Sequence, residues 1–335
     1  GVSLLRELDV VGPDDELRAA VEDYHGHAYS LMLLGTYLQA ATSDHDISHR
    51  YDLPLTEKLG EHDNHVDHMF KMYEKHFNAD SPVHLATLRL LGFFDRPVTR
   101  ALMDHLRAPK DVARKAEEQR QRPLRRIQRS GMPREDEDGK TSGLRPMPDS
   151  LAELTGPLLN LSKEQWQKVL TDLSKLRLLS KGKDRSLDSH PLLRDYFARQ
   201  LCRDHGSAWR AGHRRLYEFL CATARDSGPA PTLEDLQPLY QALGHANAGG
   251  FAGEAIPEVF VKRILRSDQF YSVMKLGAIH SDLGAIMPVL TDPGRFSGLS
   301  AESRSVEPFL LKHAGYCLRA SGRLTDAVVM LERGM

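Results

Sequence analysis

Apolar and polar positions recur with a helical period along most of the chain. A first pair of segments runs from about Pro13 to Ala41. The opening stretch Asp14-Asp15-Glu16-Leu17-Arg18-Ala19-Ala20-Val21 carries acidic residues in its first turn, where the helix dipole favours them. Ala28 through Leu38 is apolar on most sides, which predicts a buried helix. Gly26 lies where the chain must turn sharply between the two. Asp44 to Gly60 reads as an irregular connection, after which Val66, Met69, Phe70 and Tyr73 restore the helical period on one face. Ser81-Pro82 supplies an N-cap and a first-turn proline for a helix from Val83 to Leu91, with Gly92 as its C-cap. A short helix is expected from Thr99 to Leu106.

Between Pro109 and Asp149 the periodicity collapses. A basic run from Arg120 to Arg129 is followed by Glu135-Asp136-Glu137-Asp138, the composition of an exposed insertion. Ser162 and Gln165 then form a capping box for a helix from Lys163 to Lys175, striped by Trp166, Val169, Leu170 and Leu173. Leu176 to Ser180, a turn at Lys181-Gly182-Lys183-Asp184 and Ser186-Leu187-Asp188 predict a small two-stranded wing. With a helix from Leu192 to Cys202 behind it, this order suits a winged helix. Beyond Trp209 the pattern is one of helical hairpins. Gly250-Phe251-Ala252-Gly253-Glu254-Ala255 and Gly322-Arg323-Leu324-Thr325-Asp326-Ala327 each set a Gly ahead of an acidic-Ala pair, after small-residue helices from Leu239 to Ala248 and Phe309 to Ala320. Their spacing is roughly two periods of a tetratricopeptide-type repeat. Such repeats bury their faces only against one another, so further repeats are expected after Met335.

Composition narrows the function without choosing it. The 335 residues allow about two domains. Lys and Arg number 45 against 46 acidic residues, so no excess of positive charge points to nucleic acid. Cys202, Cys221 and Cys317 are odd in number and far apart, a pattern that suggests neither a disulfide framework nor a thiolate zinc site and that fits the reducing cytosol. No apolar run is long enough to span a bilayer, so a cytoplasmic protein with no membrane partner is expected.

Several local motifs are weaker than they look. Gly139-Lys140-Thr141 ends like a phosphate-binding loop, but Arg134 stands where that loop needs its first glycine, and the segment reads as a linker turn. His45, His49, His62, His65, His68 and His76 cluster in sequence, and His65 with His68 has zinc-ligand spacing. No further ligand closes a site, so no metal is expected there. Nothing has the spacing of a nucleophile elbow or a Cys-His pair, and no catalytic residue is assigned. One further position carries chemistry. His190 stands just before Pro191, at the mouth of the next helix, where free N–H groups and the positive dipole end suit an anion. It serves equally as a plain N-cap.

Gly26-His27-Ala28-Tyr29-Ser30-Leu31-Met32-Leu33-Leu34-Gly35 resembles the G-x-P region of STAND signal-transduction ATPases of the NB-ARC kind. Ser189-His190-Pro191-Leu192-Leu193-Arg194-Asp195 is similar to their M-H-D-L-L-R-D segment, and Leu88 to Pro97 looks like the opening of their winged helix in bacterial members. Ala28 stands where the family has proline, and Pro191 where it has aspartate. The resemblance implies a mainly α chain. Residues 1–80 would be the helical lid, 81–208 the winged-helix domain with its insertion at about 109–149, and 209–335 an α-solenoid of tetratricopeptide-like hairpins. It further implies binding of ADP or ATP, with His190 at the β-phosphate and Gly26, His27 and Ala28 near the adenine. The phosphate-binding loop and the Mg ligands would then lie upstream of Gly1, leaving no catalytic site in this chain. A protein partner would bind the repeats, and activation would bring self-association. Two other readings of the residues stay open. One is a winged-helix transcription regulator using the Arg120 to Arg129 run and the wing on DNA, and the other is a repeat scaffold that binds no nucleotide.

Overall fold

A computed structural model describes residues 1–52, 65–107, 150–182, 184, 186–292 and 306–334. The Arg120 to Arg129 run, Gly139-Lys140-Thr141, His62 and Lys183 lie outside the described residues. Within them the chain is mostly helical, and its strands form one two-stranded sheet. No described helix is long and apolar enough to cross a membrane. The chain divides into two compact units.

The first unit combines Gly1–Ala108 with Ala152–Gly206. Its helices Asp14–Asp23 and Ala28–Ala41 follow the expected boundaries, and the second buries Leu31, Leu33, Leu34 and Leu38 completely. The helix Val2–Glu7, which the apolar pattern did not announce, precedes them and packs on Ala28–Ala41. Helix His65–Asp80 places Met69, Phe70, Met72 and Tyr73 in the core. The Tyr73 hydroxyl lies 2.8 Å from Thr36 Oγ1 and donates to the Leu33 carbonyl, tying this helix to Ala28–Ala41.

Helix Pro82–Leu91 ends at Gly92, but not in the left-handed conformation that usually selects glycine there: φ is −62°. Packing explains the residue instead. A Cβ on Gly92 would meet the Ala198 nitrogen at 2.8 Å and the Phe197 carbonyl carbon at 2.9 Å, so only glycine lets this helix end rest on Pro191–Asp204. The capping box of Ser162 and Gln165 forms at the head of Lys163–Lys175, whose Trp166, Val169, Leu170 and Leu173 are all buried. The strands Ser180–Lys181 and Leu187–Asp188 then pair antiparallel, and Val98 bridges to Leu187 on the other side.

One carboxylate fastens three helices of this unit. Glu74, on His65–Asp80, accepts from Arg89 at 2.8 Å, from Tyr196 at 3.1 Å and from Gln200 at 2.7 Å. Its partners belong to Pro82–Leu91 and Pro191–Asp204, so a single half-buried charge fixes how the three pack.

The helical part of the second unit, Ser207–Met335, starts within helix Gly206–Thr223. Helices Leu233–Ala248 and Glu307–Ala320 each give way to a glycine at positive φ, Gly250 at 72° and Gly322 at 79°. The backbone bonds match as well: Phe251 N to Ala246 O repeats as Arg323 N to Leu318 O, both at 2.9 Å. The shared Gly and Ala of the two sequence motifs thus make the same turn, and Ala255 and Ala327 are both buried in the apolar cluster of this unit. The helices beyond the two turns differ. Leu324–Arg333 is an ordinary α-helix, whereas Ala252–Ala255 passes into a π-helix over Ile256–Ile264, with Pro257 in its first turn.

Candidate functional site

The chain leaves helix Asp14–Asp23 through two successive left-handed residues, His25 at φ 50° and Gly26 at φ 66°. Their N–H groups return to the helix, His25 N to Glu22 O and Gly26 N to Val21 O, which satisfies the carbonyls a helix end leaves open. The turn delivers His27 to the start of Ala28–Ala41. There His27 Nδ1 accepts from Ser30 N at 3.3 Å and lies 2.9 Å from Ser30 Oγ. His27 is therefore a side-chain N-cap.

A second histidine does the same on the other segment of this unit. His190 precedes Pro191, and its Nδ1 accepts from Leu192 N at 3.3 Å. An Nδ1 that accepts carries no proton, so each neutral imidazole holds its hydrogen on Nε2 and presents that N–H as a donor. Both histidines are exposed and open to a ligand.

Tyr29 joins the two caps. Its ring stacks on His190 with centroids 3.9 Å apart and 22° between the planes. Phe70 meets the same phenol edge-on, and Tyr196 packs on Phe70, so the stack is rooted in the core. Burial pushes the Tyr29 hydroxyl well above the ordinary tyrosine range. Among the described residues, neither the Tyr29 hydroxyl nor Ser189 Oγ beside His190 has a hydrogen-bond partner. A polar ligand that reached these two atoms would supply bonds they lack.

The electrostatics favour the neutral form of His190. Burial lowers the His190 pKa, and its electrostatic coupling to His27 and Arg194 adds to the effect. Arg194 is largely buried and paired with Asp188 at 2.5 Å, which fixes it one turn into the helix. His65 is held down likewise, by burial first and then by His25 and His27, and its ring lies 4.7 Å from that of His25. Two helix N-termini, the imidazoles of His27 and His190, and Arg194 with its partner Asp188 therefore share one region, and His25 and His65 adjoin His27. One turn along from Tyr29, Met32 borders an open depression of about 410 Å³ lined by Ser174, Arg177, Leu179, Ser180 and Lys181, which none of the histidines enters.

Of the residues singled out by sequence, His190 and His27 are brought within electrostatic reach, and Gly26 and Ala28 flank His27 at the exposed turn. Tyr29 belongs to the G-x-P-like segment, but its stacking role has no signal in a single sequence. Among the described residues, His65 and His68 gather no third metal-ligating side chain. Comparison with known proteins gives no match: no protein-family model, no curated protein and no solved structure matches this chain.

Proposed function

We propose that this chain is the regulatory and sensor part of a STAND-type signalling ATPase of the NB-ARC kind. In this reading the first unit supplies a helical lid and a winged helix that close on the phosphate end of ADP or ATP, and the helical hairpins of the second unit bind a protein partner. The phosphate-binding loop and Mg ligands come from outside these 335 residues. The observation that carries the reading is the convergence of His27 and His190, each capping a helix start and joined through Tyr29. A helix N-terminus already attracts phosphate through free N–H groups and its dipole. Two of them, each with an Nε2–H donor on an exposed histidine, make a cradle for charged oxygens, and the exposed His27 and Ala28 lie where an adenine could pack.

Two further features support it. Val98 pairs with Leu187 and extends the wing toward the three-stranded edge of a winged helix. Leu324, Val328 and Leu331 on the last helix leave an exposed apolar strip of the kind that a neighbouring repeat or a second copy covers.

The test is nucleotide retention in the intact protein. Wild type should purify with bound ADP, and His190→Ala and Tyr29→Ala should each lower that occupancy and raise basal signalling. Loss of one charge-assisted hydrogen bond corresponds to roughly a tenfold or greater fall in affinity. Unchanged occupancy in both variants removes this site from nucleotide binding.

A second reading draws on the exposed Lys175 and Lys181 and on Arg177 beside the hairpin. A winged-helix DNA binder would use them on phosphates, with an affinity that falls steeply as salt rises. Filter binding with no salt-sensitive component excludes it.

A further inference from the structure

The second unit contains a buried polar cluster that the nucleotide reading does not use. Asp282, on helix Ile279–Leu290, is wholly buried. Its Oδ1 accepts from the Tyr240 hydroxyl at 2.6 Å, and its Oδ2 accepts from Ser272 Oγ at 2.8 Å and lies 2.9 Å from His313 Nε2. Cys317, one turn beyond His313 on Glu307–Ala320, puts its sulfur 3.7 Å from that same Nε2. His313 and Cys317 are themselves 4% and 0% exposed, so the whole group lies in the apolar interior. Among the described residues, no Lys or Arg pairs with this carboxylate.

Cysteine, histidine and aspartate invite comparison with a catalytic triad, but the geometry is wrong. A relay needs the thiol on one ring nitrogen and the carboxylate on the other. Here both face Nε2. One nitrogen, one sulfur and one carboxylate oxygen from three side chains lie close enough together to serve as ligands of one metal. The three donor atoms lie within 4.8 Å of one another. Around a tetrahedral zinc, typical bond lengths put nitrogen and oxygen roughly 3.3 Å apart and nitrogen and sulfur roughly 3.6 Å apart. For these two pairs the observed 2.9 and 3.7 Å need movements of only a few tenths of an ångström, and the oxygen and sulfur, within 4.8 Å, must come to roughly 3.6 Å.

We propose that Asp282, His313 and Cys317 form a binding site for a zinc-class divalent cation that clamps helices Ile279–Leu290 and Glu307–Ala320 together. Mixed sulfur, imidazole and carboxylate donors suit zinc, and cobalt substitutes for it with the same geometry. The charges balance. A dication with one carboxylate, one thiolate and a neutral imidazole forms a neutral unit, which is what an apolar interior accepts. Binding releases the thiol proton, and the imidazole binds through Nε2 with its hydrogen on Nδ1. A water or the second carboxylate oxygen completes four-coordination.

The surroundings fit a supporting layer. Tyr240 and Ser272 hold the carboxylate from outside, as ligating carboxylates are commonly held. Phe260, Phe270 and Phe309 pack around the His313 ring and fix its plane. The cysteine spacing gave no hint of a thiolate zinc site because Cys317 has no cysteine partner. Its partners are a histidine one helical turn away and an aspartate from helix Ile279–Leu290.

The full chain produced in cobalt-supplemented, zinc-depleted medium decides the matter. The expected product holds one cobalt per chain, with the strong visible bands of tetrahedral cobalt and a sulfur-to-cobalt charge-transfer band in the near ultraviolet. A Cys202→Ser/Cys221→Ser double variant should keep that spectrum and Cys317→Ser should lose the charge-transfer band. Tyr240→Phe should keep the spectrum while lowering zinc affinity about 10- to 100-fold in chelator competition. Cobalt that is substoichiometric or lacks the sulfur band in wild type overturns the proposal, as does loss of the band in the double variant. Should Cys317→Ser not fold, wild type and the double variant still give the answer. Because nucleotide retention is read separately, failure here leaves the reading of the first unit standing, and the reverse holds.

Discussion

The imidazole of His190 lies flat against the phenol ring of Tyr29, with ring centroids 3.9 Å apart, although the two residues stand at the heads of different helices. The stack brings two helix N-termini to one place. It also sets a pH dependence. His190 has its pKa lowered in the free protein by burial, then by the charges of His27 and Arg194. A phosphate bound at Nε2 attracts the imidazolium and raises that pKa, so binding takes up a proton on Nδ1 at the expense of its bond from Leu192 N. Affinity for ADP should therefore rise as pH falls below the ordinary histidine value, down to the lowered pKa of the free protein. Calorimetric titrations of wild type and His190→Gln across this range check it. The difference between their pH profiles isolates the histidine from the titration of the nucleotide itself.

Glu74 should be worth more than an ordinary surface carboxylate. It accepts from Arg89, Tyr196 and Gln200 at one place, with only a fifth of its side chain exposed. Glu74→Ala leaves three donors facing each other in partly buried surroundings, a loss of about 2 to 4 kcal/mol. Urea unfolding at neutral pH measures it. Glu74→Gln should lose less, because the amide oxygen still accepts while the charge on Arg89 goes unanswered.

The helices were legible because their signals are local. The capping box at Ser162, the acidic first turn at Asp14 and the apolar stripe from Trp166 to Leu173 each depend on residues within one or two turns. The histidines at positions 27 and 190 stand out by motif, but their meeting does not, since it depends on how the helices of the unit pack. Gly92 shows the same limit from the other side. Its place at a helix end predicts a left-handed cap, and the structure gives an ordinary φ with a neighbouring backbone at contact distance. Asp282, His313 and Cys317 carry no spacing signal at all, because their ligand-like arrangement exists only once two helices lie side by side.

Gly92 yields a prediction of its own. A methyl group there would sit 2.8 Å from the Ala198 nitrogen, against backbone that cannot swing aside. Gly92→Ala should destabilise the first unit by about 1 to 3 kcal/mol through overpacking. Gly156→Ala is the control, for a Cβ at that position meets nothing within 4 Å. It should be neutral or slightly stabilising, since alanine restricts the unfolded chain. Chemical denaturation of both variants against wild type separates packing from backbone entropy.

His213 gives the clearest acid sensitivity. It is 2% exposed, its Nδ1 lies 3.0 Å from His245 Nδ1, and Trp209 packs edge-on against its ring. Burial, with a contribution from His245, lowers its pKa from 6.5 to about 2. The unfolded chain therefore binds a proton below pH 6.5 that the folded chain refuses until near pH 2. The stability that this neutral histidine contributes is complete above 6.5 and is lost as pH falls toward the folded value. The slope is about 1.4 kcal/mol for each pH unit over that window. Denaturation midpoints at about pH 7.5 and pH 5, on either side of the unfolded value, should show the second unit losing stability in wild type. His213→Gln, which keeps a polar partner for His245 but cannot take up a proton, should be less stable at neutral pH and have a flatter profile. An unchanged slope in that variant would assign the acid sensitivity to other groups.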